Sequence, residues 1–387
     1  MPWERKILNK ILEYKKNFRA IAIMGVRQSG KTTISKEIFK DYKYINFENL
    51  VTLKYAIDEP IDFLNSNSNG VIFDEIQRAP HLFNFLQEIL DNQKEKGKYI
   101  LTGSSNFLLN ENITQSLAGR VGYLEMYPLS YLEIYNAEKF SVWEHVFFGG
   151  FPEVWVDAIN PAIFYPNYIQ SVIERDIRQL INIKNIAIFQ NFISYIVSLV
   201  GQELNYTKIG IELGIDLKTA QAWIGYLQVA GIVYLLPPYF SNFGKRAVKK
   251  SKLYFVDTGI VCSLLKINEI TQLENHPLKG SIFENYCILN LVKENSFKIN
   301  KSNFYFWRGN NGVEVDLIIE NGLQHTLIEI QSGSNFHGKW FKNMDLFKNY
   351  SNIDAKQVLI YTGAETVKFS ENKEIIPFNK MNEVLNF

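Results

Sequence analysis

AIAIMGVRQSGKTTISKEIF, residues 20–39, joins a short apolar run to a helical pattern through a loop that contains two glycines. The loop, residues 25–32, matches the pattern G-x-x-x-x-G-K-[ST] that is typical of phosphate-binding loops. Its glycines let the backbone turn tightly so that amide hydrogens face the phosphates, and the N-terminus of the following helix adds a partial positive charge. The succession of strand, loop and helix therefore predicts a nucleotide-binding core.

The side chains of this loop predict contacts to a nucleotide and a metal ion. Lys31 is expected to bridge the β- and γ-phosphates of ATP, and the Thr32 hydroxyl is expected to bind Mg²⁺. ATP and Mg²⁺ are therefore the predicted cofactors. The loop residues predicted to bind the nucleotide are Gly25, Gln28, Ser29, Gly30, Lys31, Thr32 and Thr33.

A second apolar run, VIFDEIQ at residues 71–77, ends in two adjacent acids. Open α/β sheets bind their ligands at the carboxyl ends of the strands, which is where these acids fall. Asp74 is expected to hold Mg²⁺, directly or through water, and Glu75 to polarise the attacking water as a general base. A protein that only binds nucleotides needs no second acid, so Glu75 favours ATP hydrolysis.

Two further polar positions each allow two interpretations. Ser104 or Ser105, in ILTGSSNF, either contacts the γ-phosphate or the lytic water, or belongs to an ordinary turn. Arg120, in QSLAGRV, is either a charge-stabilising catalytic arginine or a surface residue. The catalytic arginine would act within its own chain or across a subunit interface.

Composition narrows the class of protein. A chain of 387 residues exceeds what one hydrophobic core usually serves, so two or three domains are expected. The net charge is only +1, so a polyanionic partner would have to be met by local patches. The two cysteines form no spaced framework, no stretch approaches the ~20 apolar residues of a membrane span, and the N-terminal region lacks an apolar signal core. We therefore expect a cytoplasmic protein without a membrane partner.

The order of elements predicts an α/β protein with several parts. Short apolar runs alternate with helical patterns in the first part, which predicts a parallel sheet covered on both faces. Helical patterns around a turn at Gly214, followed by two strand patterns, predict a winged helix. The last part is a separate α/β domain. The predicted segments are an ATPase core at 1–135, a helical connector at 136–187, a winged helix at 188–258 and the C-terminal domain at 259–387.

The predicted winged helix could bind DNA. Its candidate recognition helix offers few polar side chains for reading bases, namely Lys218, Thr219, Gln221 and Gln228. The wing offers more charge, from Lys245, Arg246, Lys249, Lys250 and Lys252. These side chains either contact phosphates without reading sequence or lie on a solvated hairpin in a module that packs between domains.

Seven motifs together resemble a family of prokaryotic AAA-type ATPases with a C-terminal domain of unknown function. They are GVRQSGKTT, DEIQRAP, ILTGSSNFLL, SLAGRV, YPLSYLEI, GGFPEV and YIQSVIERDI. The resemblance implies an AAA-like core, a winged-helix segment and a restriction-endonuclease-like C-terminal fold. It places the ATP-binding residues of that family at Gly25, Gly30, Lys31, Thr32, Asp74 and Glu75.

The C-terminal hairpin GVEVDLIIENGLQHTLIEIQ carries acids along strands. Side chains two residues apart share a strand face, so Glu314 lies with Asp316, and Glu329 lies with Gln331. With Glu284 from the preceding helix, these acids resemble the Glu…Asp…Glu-x-Lys site of the restriction-endonuclease fold. Gln331 stands at the lysine position, where an amide can orient water but supplies no charge. An active nuclease, a degenerate site and a solvated acidic face all remain open.

These patterns predict an ATP-hydrolysing switch or motor that couples nucleotide state to domain movement, in a homo-oligomer. The alternative is an ATP-regulated, Mg²⁺-dependent nuclease, or a DNA-binding regulator that uses the winged helix. The sequence identifies no protein partner.

Overall fold

The computed structural model describes residues 4–103, 119–173, 186–240, 250–309, 312–335 and 338–386. Within these ranges no helix has the length and apolar character needed to cross a membrane. The chain forms two compact units. The first consists of Met1–Leu129, Phe151–Val156 and Val229–Gly231, and the second of Ser130–Gly150, Asp157–Gln228 and Ile232–Phe387. The four predicted segments divide the chain more finely and stay predictions.

The first unit is built on a parallel sheet. Its strands are β1 (Ala20–Gly25), β2 (Lys43–Asn46), β3 (Val71–Asp74), β4 (Tyr99–Gly103) and β5 (Val121–Met126). They pair in parallel in the order β2-β3-β4-β1-β5. β1, β3 and β4 are buried along their whole length, as expected of central strands with both faces covered. This confirms the predicted parallel α/β core.

Helices and packed aromatic rings fix the strand that carries the acids. The helices are α1 (Leu8–Asn17), α2 (Lys31–Ile38), α3 (Leu50–Asp58), α4 (Pro60–Asn65), α5 (Leu82–Asn92) and a short helix at Pro152–Val156, with a 3₁₀ turn at Ile76–Arg78. Phe73 of β3 stacks between Phe63 and Tyr99, with ring centroids 5.9 and 6.3 Å away. Burying one such ring contributes about 1.5–3 kcal/mol, so this packing holds the end of β3 in place.

The second unit combines a helical part with a mixed sheet. Its helices are α6 (Val142–Phe148), α7 (Pro161–Val172), α8 (Ile186–Ile196), α9 (Tyr206–Leu213), α10 (Leu217–Val229), α11 (Thr258–Leu264), α12 (Ile270–Glu274), α13 (Lys279–Phe297) and α14 (Lys342–Ser351). Short 3₁₀ segments lie at Tyr131–Glu133, Ala137–Lys139, Val197–Leu199, Gly338–Phe341 and Phe378–Leu385.

Its strands form two sheets. They are β6 (Val233–Leu236), β7 (Lys252–Phe255), β8 (Asn303–Arg308), β9 (Glu314–Asn321), β10 (Gln324–Gln331), β11 (Lys356–Tyr361), β12 (Val367–Ser370) and β13 (Lys373–Pro377). β6 and β7 pair antiparallel, and the others form a mixed sheet in the order β12-β13-β11-β10-β9-β8. The succession of α9, a left-handed turn at Gly214, α10 and the β6–β7 hairpin has the predicted order. The winged-helix and restriction-endonuclease-like assignments stay predictions.

α13 is the most buried long helix of the second unit, and its asparagines bond to segments far away in sequence. Asn285 accepts from the Phe255 N–H at 2.7 Å and donates to the Phe255 carbonyl at 2.8 Å. Asn290 accepts from the Tyr131 N–H at 2.7 Å. Buried main-chain groups need partners, so these side chains tie β7 and the 3₁₀ turn at Tyr131 to α13.

Candidate active site

The phosphate loop follows β1 at the carboxyl edge of the parallel sheet. Gly25 has φ +151°, and a Cβ atom there would lie 2.0 Å from the Met126 carbonyl oxygen of β5. Gly30 has φ +91° and directly precedes α2. The residues predicted from the glycine pattern therefore occupy positions that require glycine, because a side chain would clash with β5 or strain the backbone.

Lys31 is buried at the start of α2 and its ammonium group points back over the loop. Nζ donates to the carbonyl oxygens of Gly25 at 3.0 Å and Val26 at 2.7 Å. The loop is braced from below, because Arg5 donates to the Ser29 carbonyl oxygen at 2.7 Å. The ammonium group of Lys31, which is predicted to contact the phosphates, is therefore held in place by hydrogen bonds to the loop backbone.

Asp74 is the centre of the hydrogen-bond network at this edge. The Thr32 hydroxyl of α2 donates to its two oxygens at 3.1 and 3.2 Å, and the Tyr44 hydroxyl of β2 donates at 2.6 Å. Thr102 of β4 also donates its hydroxyl to Asp74. Burial, together with the hydrogen bond to Asp74, raises the pKa of Tyr44, so the phenol remains a donor at neutral pH. Sequence reasoning missed Tyr44 and Thr102.

Glu75 lies directly after β3, half-buried, in a left-handed backbone conformation with φ +56°. This conformation is uncommon for residues other than glycine, and it turns the chain sharply beside Asp74. The Gln77 side-chain amide donates to the Glu75 carboxylate and thereby orients it. The structure thus brings Lys31, Thr32, Asp74 and Glu75 to one edge of the sheet.

The remaining predicted residues divide into three groups. Gln28 and Thr33 lie exposed in the loop and the first turn of α2. Ser104 and Ser105 lie outside the described residues. Arg120 precedes β5 at the opposite edge, about 20 Å from the phosphate loop by the rise of six strand residues.

Arg120 has a partner at that opposite edge. It makes a two-pronged ion pair with Asp91 of α5, with Nη2 2.9 Å from one carboxylate oxygen. Arg120 is therefore not brought to the phosphate loop of its own chain.

The donor set at the carboxyl edge fits the two predicted cofactors. Mg²⁺ prefers oxygen ligands and is typically bound by one or two protein groups together with the phosphates of the substrate. The Thr32 hydroxyl and the Asp74 carboxylate supply such oxygens side by side, and the Lys31 ammonium supplies the positive charge that phosphates need.

The second unit holds a separate cluster of acids around a lysine. We call Glu284, Glu314, Asp316 and Glu329 the carboxylate cluster. Lys252 of β7 places its Nζ 3.0 Å from Glu284 Oε1, in direct contact with Glu314, and 3.9 Å from Asp316 Oδ1. The Tyr254 hydroxyl also donates to Glu284, at 2.5 Å. Glu314 and Asp316, which strand periodicity places on one face of β9, thus both contact Lys252.

Lys252 fits neither alternative for the wing residues, phosphate contact or a solvated hairpin, because it is buried. The residue is 1% exposed and its ammonium is enclosed by carboxylates. Lys250 is exposed, while Lys245, Arg246 and Lys249 lie outside the described residues. On α10, Lys218, Gln221 and Gln228 are exposed, and Thr219 is partly buried and bonded to Asp216.

Burial and mutual charge shift the titration of this cluster. Burial alone would lower the pKa of Lys252, but the surrounding carboxylates of Glu284, Asp316 and Glu314 outweigh it and raise that pKa. Burial and a neighbouring carboxylate raise the pKa values of Asp316 and Glu329. In the part of the chain that the structure describes, no group of three or more histidines, cysteines or acids is arranged to hold a metal ion.

Family models match three stretches of this chain. Residues 17–135 match the model described as an AAA domain. Residues 139–271 and 279–381 match two models, each described as a domain of unknown function, DUF8612 and DUF4143. The first of these stretches contains the phosphate loop, so its match to an AAA domain agrees with the AAA-type P-loop core that the sequence motifs predict.

Two of the similar proteins are described as uncharacterized. An uncharacterized protein of Mycobacterium tuberculosis is 29% identical over 304 residues, which cover 78% of this chain and 67% of that protein. An uncharacterized protein of Methanocaldococcus jannaschii is 28% identical over 349 residues, covering 81% and 75%.

Two solved structures are similar to parts of this chain. A Walker-type ATPase of Pyrococcus abyssi has a TM-score of 0.45 at 13% identity and covers 67% of this chain and 95% of its own. RuvB of Thermotoga maritima has a TM-score of 0.31 at 14% identity, covering 60% and 88%. Both TM-scores lie below 0.5, so neither adds support.

Proposed function

We propose that this protein binds ATP with Mg²⁺, hydrolyses it, and uses the nucleotide state to move the segment that follows Gly231. The observation that carries the proposal is the convergence of Lys31, Thr32, Asp74 and Glu75 on one edge of the parallel sheet. The match of residues 17–135 to an AAA domain supports the same chemistry.

Each of these residues has a role that follows from its position. Lys31 would neutralise the β- and γ-phosphates, and Thr32 and Asp74 would hold Mg²⁺, which supplies charge neutralisation on the phosphates. Glu75, turned beside Asp74 and held by Gln77, would orient the attacking water and accept its proton. Tyr44 and Thr102 act through Asp74 by fixing its carboxylate.

A contact within the first unit supports the coupling to movement. Gly231 has φ +70°, and a Cβ atom there would come within 2.9 Å of Val26 Cγ2 in the phosphate loop. The chain enters β6 two residues after Gly231. A change in the loop on nucleotide binding would therefore press on the turn that leads into the β6–β7 hairpin.

Phosphate release with Mg²⁺ and ATP tests the hydrolysis. We expect Lys31→Ala to abolish turnover, while Lys40→Ala, an exposed lysine just past α2, keeps it. Glu75→Gln should bind ATP but not hydrolyse it. Undiminished turnover in Lys31→Ala would refute the assignment.

Hydrogen exchange of the Glu75→Gln protein tests the movement. With ATP bound, we expect the exchange rates of residues 232–255 to differ from those with ADP bound. If the wild-type protein hydrolyses ATP but the Glu75→Gln protein exchanges identically with ATP and with ADP, the protein is an ATPase without the proposed switch.

The alternatives from the sequence rest on weaker observations. Glu284 and Asp316 share Lys252 of β7 as a partner, and Glu329 lies beside Asp316, so a lysine is enclosed at this group of acids. DNA binding and a homo-oligomer stay predictions. Cutting of DNA that is lost in Asp316→Ala would revive the nuclease hypothesis.

A further inference from the structure

An arginine that lies outside the stretch matched to an AAA domain is bonded to the phosphate loop. Arg5 precedes α1 by three residues and is 4% exposed, whereas the AAA match begins at residue 17. Its Nη1 donates to the Ser29 carbonyl oxygen at 2.7 Å, and its Nη2 donates to the Tyr127 carbonyl oxygen at 2.9 Å. One guanidinium group thereby joins the phosphate loop to the residue that directly follows β5.

The packing of α1 on the sheet holds Arg5 in this place. A Cβ atom at Gly122 of β5 would lie 2.5 Å from the ring of Phe18 and 2.6 Å from that of Tyr14, so the C-terminal end of α1 packs closely on this strand. At the other end of the helix, the Arg5 carbonyl oxygen accepts from the Leu8 N–H at 3.0 Å. The position of Arg5 is therefore set by the helix and the sheet, and not by the loop alone.

The contact to Ser29 sets the direction of one amide group of the loop. The peptide between Ser29 and Gly30 is planar and trans, so its carbonyl oxygen and the Gly30 N–H point in opposite directions. Gly30 directly precedes α2, and the N–H groups at the start of a helix lack partners within the helix and can bind an anion. By holding the carbonyl oxygen, Arg5 therefore determines where the Gly30 N–H points.

This support becomes more important when a nucleotide is bound. In the structure the Lys31 ammonium group donates to the carbonyl oxygens of Gly25 and Val26, so the group that is predicted to contact the phosphates also holds the loop. Phosphates would draw these hydrogens away from the loop, because charged acceptors form stronger hydrogen bonds than carbonyl oxygens. Arg5 contacts a different carbonyl oxygen, so its hydrogen bond would remain.

We propose that Arg5 is a positioning residue for nucleotide binding, which holds the Ser29–Gly30 peptide so that the Gly30 N–H faces the phosphates. The proposal rests on the proposed function, because it requires the loop to bind ATP. Arginine suits this role, since its rigid fork carries donors on separate nitrogens and can bond carbonyl oxygens of two segments at once. A lysine keeps the charge but has a single nitrogen.

ADP binding and steady-state ATP hydrolysis by the full-length protein test this role. Isothermal titration calorimetry with ADP and Mg²⁺ gives Kd, and phosphate release gives kcat and KM for ATP. Wild type is compared with Arg5→Gln, Arg5→Lys and Ile11→Ala, at a temperature where circular dichroism shows the wild type and Ile11→Ala to be folded. Ile11→Ala is the matched control, because this fully buried side chain of α1 supports the packing of the helix without contacting the loop through a hydrogen bond.

We expect Arg5→Gln to raise the Kd for ADP and the KM for ATP by about tenfold, as the loss of one hydrogen bond from a charged donor would. The kcat at saturating ATP should stay unchanged, because loop amides bind the phosphates equally in the ground state and the transition state. Arg5→Lys should have values between those of wild type and Arg5→Gln. Ile11→Ala should lower the unfolding temperature and leave Kd, KM and kcat as in wild type.

Wild-type affinity in a folded Arg5→Gln protein, or an equal loss of affinity in Ile11→Ala, would overturn the proposal. If Arg5→Gln does not fold, Arg5→Lys decides, and wild-type affinity in that variant would overturn it. Unfolding of both variants would make Arg5 a structural residue only, which also contradicts the proposal. A wild-type protein that binds neither ADP nor ATP would instead refute the proposed function, and this inference with it.

Discussion

Replacing Tyr44 by phenylalanine removes one hydrogen bond from Asp74 and little else. The Tyr44 hydroxyl donates to Asp74 at 2.6 Å, while its ring, which carries the Lys36 ammonium 3.5 Å from its centroid, is retained in phenylalanine. A hydrogen bond to a charged group contributes about 1.5–3 kcal/mol, and about 1.4 kcal/mol corresponds to a tenfold change in rate. Thr32 and Thr102 still hold the carboxylate, so we expect the lower end, roughly a tenfold decrease in kcat.

The assay is phosphate release at saturating ATP and Mg²⁺, with KM for ATP measured alongside. Tyr42→Phe is the matched control, because the Tyr42 hydroxyl also makes one hydrogen bond, to the Gly97 carbonyl oxygen at 2.9 Å, away from Asp74. We expect Tyr42→Phe to lower the unfolding temperature and to leave kcat unchanged. Full activity in Tyr44→Phe, or an equal loss in both variants, would refute the role of Tyr44.

Three further substitutions test the fold around these sites. Gly25→Ala should abolish nucleotide binding and lower the free energy of unfolding by at least about 1–3 kcal/mol through backbone strain. Gly225→Ala is the control, because open space surrounds that position, and it should be neutral or stabilising. Thermal unfolding and the binding of a fluorescent nucleotide measure both variants. Burial lowers the pKa of His145, so below about pH 6.5 the unfolded chain binds more protons than the folded protein. The free energy of unfolding of the wild type should therefore decrease as the pH falls, by up to ~1.4 kcal/mol per pH unit more than that of His145→Gln. Urea unfolding at several pH values measures this difference. Asn285→Ala should cost about 2–4 kcal/mol in urea unfolding by leaving two main-chain groups of β7 without partners, and exposed Asn167→Ala well under 1 kcal/mol; equal losses would contradict this.

The sequence predicted the part of the nucleotide site that follows from contiguous motifs. Lys31 and Thr32 belong to one loop, and Asp74 ends an apolar run, so a parallel sheet brings them to one edge. Tyr44 and Thr102 carry no such signal. Their contacts to Asp74 arise because β2 and β4 lie on either side of β3, and this strand order cannot be predicted from any single segment of the sequence.

Arg120 and Lys252 show where local patterns fail. Arg120 sits at the start of a strand, so the direction of β5 determines which edge of the sheet it occupies. Lys252 follows a basic segment that predicts exposure, yet its partner Glu284 lies 32 residues further along and Glu314 lies beyond that. Only tertiary pairing of β7 with α13 and β9 reveals that the lysine is enclosed.

The asparagines of α13 bear on the order in which the chain can fold during synthesis. The Tyr131 N–H awaits an acceptor that is made 159 residues later, and the main chain of Phe255 awaits one made 30 residues later. A chain emerging from the ribosome can complete the parallel sheet of the first unit early, because β1 to β5 all lie before residue 127. The second unit can complete its fold only after α13 has been synthesised, because the turn at Tyr131 and strand β7 need the asparagines of that helix as hydrogen-bond partners.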